Sequence, residues 1–349
     1  MTGSAPASVR AGRVLVARLD SMGDVLLTGP AVRAVARSAA KVTMMVSPGR
    51  RADALLLPGV DEVIEFEAPW VAFEPEPVRP EQISALIAAV SDVQVDAALI
   101  LTSFHQSPLP LALLLRMAGV EWVGAISEDY PGSLLDLRHR VADDLPESVR
   151  NLSLAEAAGF VPDERGARLA VRYPLPDAAR WTGPEPYVVF HPGASVSSRR
   201  PTAEHSRSLV AALADAGNRV LITGSAAEAT LAGYVADGRA LDLSGQLDLP
   251  GLAAVLARAQ VVITPNTGPA HLAAAVETPV VSLFAPVVSA ESWAPYGVPT
   301  VVLGDQNAAC RNTRARTCPL PGHPCLSSIQ PAEVVDAVGR LSLTEVGAG

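Results

Sequence analysis

The chain has 349 residues, 49% of them apolar, with a net charge of −9 and a mean hydropathy of +0.27. That length exceeds one ordinary core and predicts two domains, and the apolar content excludes a disordered chain. The acidic balance argues against a broad nucleic-acid or anionic-membrane surface, so an anionic ligand would need local arginines.

Residues 1–12 are small and polar, with no apolar segment of the kind a signal peptide carries, and read as a tail. No apolar run reaches the roughly 18–20 residues of a membrane span, which predicts a cytoplasmic protein and leaves peripheral membrane contact open. Arg13 to Leu19 is a first strand, followed by the polar turn Asp20-Ser21-Met22-Gly23-Asp24 and a helix from Val25 to Ser38. Strands at 41–46 and 63–66 flank a short helix at 50–57. The stretch 67–80 is Pro-rich and acidic, and its Trp70 and Phe73 would cover either a substrate or the domain's own core. A helix at 81–90 and a buried strand at 97–101 follow, and the loop after that strand places His105 and Gln106 at the same carboxyl edge as Ser21, Gly23 and Asp24. A helix at 108–118 and a strand at 121–125 come next, then an irregular segment, 127–146, with Arg138, His139 and Arg140, then a helix at 147–158. Residues 173–186, rich in Pro and Gly, read as the linker, giving a first domain over 13–178.

A second run of alternation covers 186–330. The strand 187–191 opens into Pro192-Gly193-Ala194-Ser195, ending at Arg199 and Arg200; Gly193 permits tight backbone geometry and Arg199 can pair with phosphate. Further strands lie at 218–223, 241–243, 261–264, 280–284 and 300–303, with Glu228 on the helix after the second strand. The stretch 261–285 is a strand, the turn Pro265-Asn266-Thr267-Gly268-Pro269, an Ala-rich helix holding His271, and another strand. Free N–H groups and the helix dipole at such a start favour phosphate oxygens, unless Asn266 serves only as a helix cap and His271 only packs. Short strands alternating with helices predict α/β domains with parallel sheets.

No G-x-G-x-x-G follows a predicted strand and no G-x-x-x-x-G-K-[ST] occurs, which disfavours dinucleotide oxidoreductases and P-loop enzymes. No Asp-x-Asp pair stands at a strand end to carry a divalent metal beside a diphosphate, so helix termini and arginine are left to neutralise phosphates. Cys310, Cys318 and Cys325 are spaced C-x7-C-x6-C, which fits no zinc module and reads as a structural loop with free thiols.

The motifs VLVARLDSMGDVLLTGPAVRAV, HPGAS with Arg199, and NTGPAHLAAA followed by TPVVSLFAP resemble glycosyltransferase family 9, the heptosyltransferase-type enzymes, across about residues 13–341. The resemblance implies a GT-B fold, two Rossmann-like parallel-sheet domains facing across a cleft, with the helix at 331–342 crossing back to the first domain. It implies inverting, metal-independent transfer from an NDP-sugar, ADP-linked, to a glycan or glycolipid acceptor bound mainly by the first domain. On this resemblance Asp24 is the general base, which inversion in one displacement requires; as a plain residue it could equally cap the helix from Val25. Gly193, Ala194, Ser195 and Arg199 match the donor-phosphate loop, Glu228 a nucleoside contact, and Thr267, Gly268 and His271 the pyrophosphate-binding helix start. Asn266 stands where the family commonly has Asp, and the Trp-Pro usual after the basic residue is missing at 200–202. A nucleotide-sugar epimerase of similar fold and a non-catalytic nucleotide-sugar-binding protein are the rival readings.

Overall fold

The computed structural model describes residues 5–6, 10–72, 74–142 and 144–344; Phe73 and most of the N-terminal tail lie outside them. The chain divides into two compact units, Met1–Arg172 and Tyr173–Gly349.

In the first unit the strands are β1 (Arg13–Arg18), β2 (Lys41–Val46), β3 (Glu62–Glu65), β4 (Ala97–Ile100), β5 (Trp122–Ile126) and β6 (Leu137–His139). They form one parallel sheet ordered β3-β2-β1-β4-β5-β6. Its helices are α1 (Met22–Leu27), α2 (Gly29–Ala36), α3 (Arg51–Leu55), α4 (Pro80–Asp92), α5 (Leu109–Met117) and α6 (Glu147–Ala157). The single helix expected over 25–38 is two, because Pro30 has no N–H to continue the ladder and its ring opposes a helical preceding turn. Strand β6 was hidden in the stretch expected to be irregular; at three residues, LRH, it is too short to show a period.

Alternation along β1 sets which side each residue serves. Leu15 and Ala17 join the core cluster built with Leu86 and Val90 of α4 and Leu111, Leu114 and Leu115 of α5. Val14, Val16 and Arg18 therefore point to the opposite side of the sheet. Trp70 belongs to the first cluster: half-buried, it tilts at 47° against Phe66 with ring centroids 5.7 Å apart. It thus packs on the domain's own core.

In the second unit, α7 (Ala179–Thr182) precedes strands β7 (Val188–Phe190), β8 (Val220–Ile222), β9 (Leu241–Asp242), β10 (Val262–Pro265), β11 (Val280–Leu283) and β12 (Thr300–Leu303). Their order is β12-β11-β10-β7-β8-β9, again parallel. The remaining helices are α8 (Ala203–Asp215), α9 (Ala229–Ala236), α10 (Leu249–Ala257), α11 (Gly268–Ala275), α12 (Ala290–Trp293), α13 (Pro324–Ser327) and α14 (Pro331–Thr344). The sequence reading sends residues 331–342 across to the first domain. The buried stripe of α14, Val334, Ala337, Val338 and Leu341, instead lies in the second unit's own core with Leu209, Val210 and Leu213 of α8. That i, i+3, i+4, i+7 spacing makes one continuous apolar face, and the sheet's α8 side is the surface that buries it.

Candidate active site

In each sheet the strand order reverses beside its first strand, between β1 and β4 in one and between β7 and β10 in the other. Loops leaving the carboxyl ends at such a reversal diverge and leave a crevice, where ligands of open α/β sheets bind. Both sets of residues singled out in the sequence sit at these two places.

At the first reversal Ser21 is the N-cap of α1 and Asp24 is its third residue. Asp24 Oδ2 accepts from the Ser21 backbone N–H (3.1 Å) and hydroxyl (2.6 Å), which is a capping box. The helix thus starts at Met22, ahead of Val25, and Asp24 closes the box from inside it. The buried Gly23 lies between these partners. Asp24 Oδ1 accepts from Nη2 of Arg18 at 2.9 Å. Arg18, fully buried, ends β1 on the sheet side opposite the Leu15 cluster, and it meets more than Asp24. Its Nε lies 2.7 Å from Asp20 Oδ2, Nη2 donates to Ser103 Oγ at 2.9 Å, and Nη1 lies 3.5 Å from Glu147 Oε2. Glu147 is also 3.6 Å from Nη1 of Arg150, which donates to the Thr102 carbonyl at 2.6 Å.

Burial pushes the Asp20 carboxyl up, with Arg18 opposing and the neighbouring Asp24 adding to the rise. Burial likewise raises Glu147 against the pull of Arg18 and Arg150. Burial works to lower Arg18, yet Asp20, Asp24 and Glu147 together hold its guanidinium above its ordinary value. Removing one member of such a set leaves an uncompensated buried charge. Gln106 donates to Asp20 Oδ1 at 2.6 Å, while His105 is exposed and edges Phe104 at 5.4 Å. Of the residues placed at this carboxyl edge from sequence, on the side where the resemblance puts the acceptor, Ser21, Gly23 and Gln106 are in or against the cluster, and His105 is exposed beside Phe104.

At the second reversal Gly193 follows β7, and its backbone lies under Glu228. A Cβ built on Gly193 would stand 1.9 Å from Glu228 Oε1. The other oxygen, Oε2, accepts from the Ser225 N–H (2.8 Å) and hydroxyl (2.9 Å), a second capping box. Glu228 ends a short 3-10 turn and is the N-cap of α9, where the sequence placed it on the helix. His191, buried, pairs Nδ1 with Thr223 Oγ1 at 3.1 Å; burial pushes its imidazole down to about 4, with Glu228 opposing. Ala194 is half-buried and Ser195 exposed. Arg199 ends the turn Ser197–Arg199. That turn is braced by the cysteine loop: Ser198 N–H donates to the Arg316 carbonyl at 3.0 Å, and His323 Nε2 meets the Ser198 carbonyl at 2.8 Å.

On β10, which pairs with β7, the chain turns through Asn266 into α11. Thr267 is the N-cap and Gly268 the first helical residue, with His271 buried one turn on. Asn266 does not cap: it is 3% exposed, and its Nδ2 has no hydrogen-bond partner among the described residues. A buried amide donor without a partner costs about 1–3 kcal/mol unless a ligand or water accepts from it.

Among the described residues no group of three or more His, Cys, Asp and Glu side chains could hold a metal ion, and no helix is long and apolar enough to cross a membrane. The cysteines are free, with Cys310 and Cys325 buried in the second core.

The sequence profile of glycosyltransferase family 9 (heptosyltransferase) matches residues 83–323, more than half of the chain. The chain belongs to that family. It is therefore a glycosyltransferase, and its two sheets are those of the GT-B fold. The family-9 chain is 27% identical over 290 residues to lipopolysaccharide heptosyltransferase 1 of Escherichia coli (strain K12), covering 78% of this chain and 88% of the relative. Among solved structures it resembles a family 9 glycosyl transferase from Veillonella parvula DSM 2008, with a TM-score of 0.76 at 18% identity, over 95% of this chain and 97% of that one. It also resembles the E. coli ADP-heptose lps heptosyltransferase II, with a TM-score of 0.71 at 20% identity, over 96% and 99% of the two chains.

Arg18, Asp20, Glu147, Arg150 and His191 were not singled out in the sequence. One signal was there for Arg18: a charge at the inward end of an otherwise apolar parallel strand must have buried partners. Nothing in the sequence said that Glu147 and Arg150, more than a hundred residues away, would supply one.

Proposed function

We propose that this enzyme is an inverting, metal-independent heptosyltransferase that moves heptose from ADP-heptose to a hydroxyl of a glycan or glycolipid acceptor. The observation that carries this reading is the Asp24 carboxylate: held at both oxygens at the sheet reversal, its side chain keeps 14% exposure. It is the natural base to take the proton from the acceptor hydroxyl while that oxygen attacks the anomeric carbon and ADP departs. Ser21, Gly23 and Gln106 fix its surroundings on the acceptor side.

On the donor side, the first-turn N–H groups of α11 at Gly268, the side chains of Thr267 and His271, and Arg199 would take the diphosphate. The unpartnered Asn266 amide would donate to one of its oxygens or to the sugar, which supports a ligand at this turn. Gly193, Ala194 and Ser195 would let the phosphates approach the backbone, and Glu228 would meet the nucleoside. The ADP-heptose in the name of the E. coli heptosyltransferase II supports the choice of donor.

The test is ADP release from ADP-heptose with heptose-deficient lipopolysaccharide, with EDTA present, and the anomeric configuration of the product read by NMR. Calorimetric titration with ADP, UDP and GDP accompanies it. Transfer with inversion in EDTA and preference for ADP sustain the reading. Preference for UDP or GDP overturns the donor, and retention of configuration overturns the role of Asp24.

A further inference from the structure

The Arg18 guanidinium touches three carboxylates of the first site, of which Asp24 is the most exposed and Glu147 the least. Side-chain exposure is 14% for Asp24, 11% for Asp20, 3% for Glu147 and 0% for Arg18. Arg150 meets the same Glu147 oxygen, Oε2, and is itself tied to the Thr102 carbonyl in the loop after β4. Arg18 is thus clamped by Asp20 on its own loop, Ser103 on the neighbouring loop and Glu147 on α6, and it hands one Nη2 donor to Asp24 Oδ1. A planar guanidinium can serve these partners at once in fixed directions, which a lysine ammonium cannot.

We propose that Arg18, anchored from behind by Glu147 and Asp20, is the positioning residue that fixes the Asp24 carboxylate for catalysis. The inference rests on the reading of Asp24 as base. With Oδ2 tied to Ser21 and Oδ1 to Arg18, the two oxygens are held from two directions, which restrains rotation of the carboxylate plane. Misplacing a reacting group by about 1 Å costs on the order of 100-fold in rate.

The test compares four variants in the ADP-heptose and heptose-deficient lipopolysaccharide assay: Asp24→Asn, Arg18→Lys, the pair Arg18→Gln with Glu147→Gln, and that pair combined with Asp24→Asn. The pair removes one positive and one negative charge together, so the cluster keeps its net charge and the fold is checked by circular dichroism and melting. Expected is a loss of about 100-fold or more in kcat for Asp24→Asn. The charge-compensated pair should lose about 30- to 100-fold in kcat with the KM for ADP-heptose within about twofold. Arg18→Lys should fall between the pair and the parent. In the combined variant the losses should not multiply, because the pair acts through Asp24.

Unchanged kcat in the folded pair, or losses that multiply in the combined variant, would overturn the proposal while leaving Asp24 as base. Full activity of Asp24→Asn would overturn the base itself, and the proposal with it. If the pair does not fold, Arg18→Lys alone and combined with Asp24→Asn carries the same comparison.

Discussion

Gly193→Ala probes the donor side through a single methyl group. The added Cβ would stand 1.9 Å from Glu228 Oε1 and 2.5 Å from its Cδ, so one of the two must move. The backbone of Gly193 leads directly out of β7, whose register against β8 and β10 is fixed, whereas the Glu228 carboxylate is the end of a flexible side chain. The carboxylate therefore swings away and gives up both bonds to Ser225, at 2.8 and 2.9 Å. Loss of a helix cap costs about 1 kcal/mol, up to about 2. For a cooperative unit of this size that is a fall of roughly 2–8 °C in Tm. The same swing takes Glu228 away from the proposed nucleoside contact, so ADP affinity should fall about tenfold or more, the worth of one charged hydrogen bond. Scanning calorimetry and titration with ADP measure the two effects. The decisive comparison repeats Gly193→Ala in a Glu228→Ala background, where the methyl meets nothing of the carboxylate and should cost little in either assay. Wild-type Tm and ADP affinity for the single variant would refute the reasoning, as would an undiminished cost in the Glu228→Ala background.

Other outcomes follow from the buried charges. Burial pushes Asp53 up to about 6, with Arg50 opposing, so the folded state binds the extra proton between the unfolded carboxylate range and pH 6 and loses stability as pH rises through that window. Asp53→Asn should therefore raise Tm at pH 7.5, by about 1–2 kcal/mol of stability, and leave it nearly unchanged at pH 4. His191 has the opposite sign of dependence: burial holds its pKa at about 4, so the unfolded chain takes up the proton first and stability falls as pH drops from about 6.5 toward 4. His191→Gln should flatten that part of a Tm-against-pH curve for the second unit. Burial, with Cys310 and Cys318 adding to it, pushes the Cys325 thiol up to about 11, so brief iodoacetamide treatment of the native protein at pH 7.5 should label the half-buried Cys318 ahead of Cys310 and Cys325.

Much of this molecule is written locally. The runs at β1, β2, β4, β10 and β11 are strands buried on both sides, and the sequence shows them as stretches dominated by Val, Leu, Ile, Met and Ala, broken by single small polar residues such as Thr43, Thr264 and Ser282. The turns after β1, β7 and β10 carry their Gly, Ser, Asn and Asp within a few residues of the strand ends, so their place at a carboxyl edge was legible before any strand order was known. The three motifs that resemble family 9 are of this local kind. What tertiary structure alone decided is pairing across distance. The parity of β1 turns Arg18 toward the helix that begins at Glu147, and only the packed sheet brings Asp20, Ser103, Glu147 and Arg150 to one guanidinium. The last helix shows the same limit: its start at Pro331 and Glu333 was legible in the sequence, but hydrophobic burial has no direction, and only the packed core shows Val334, Ala337, Val338 and Leu341 as its buried face.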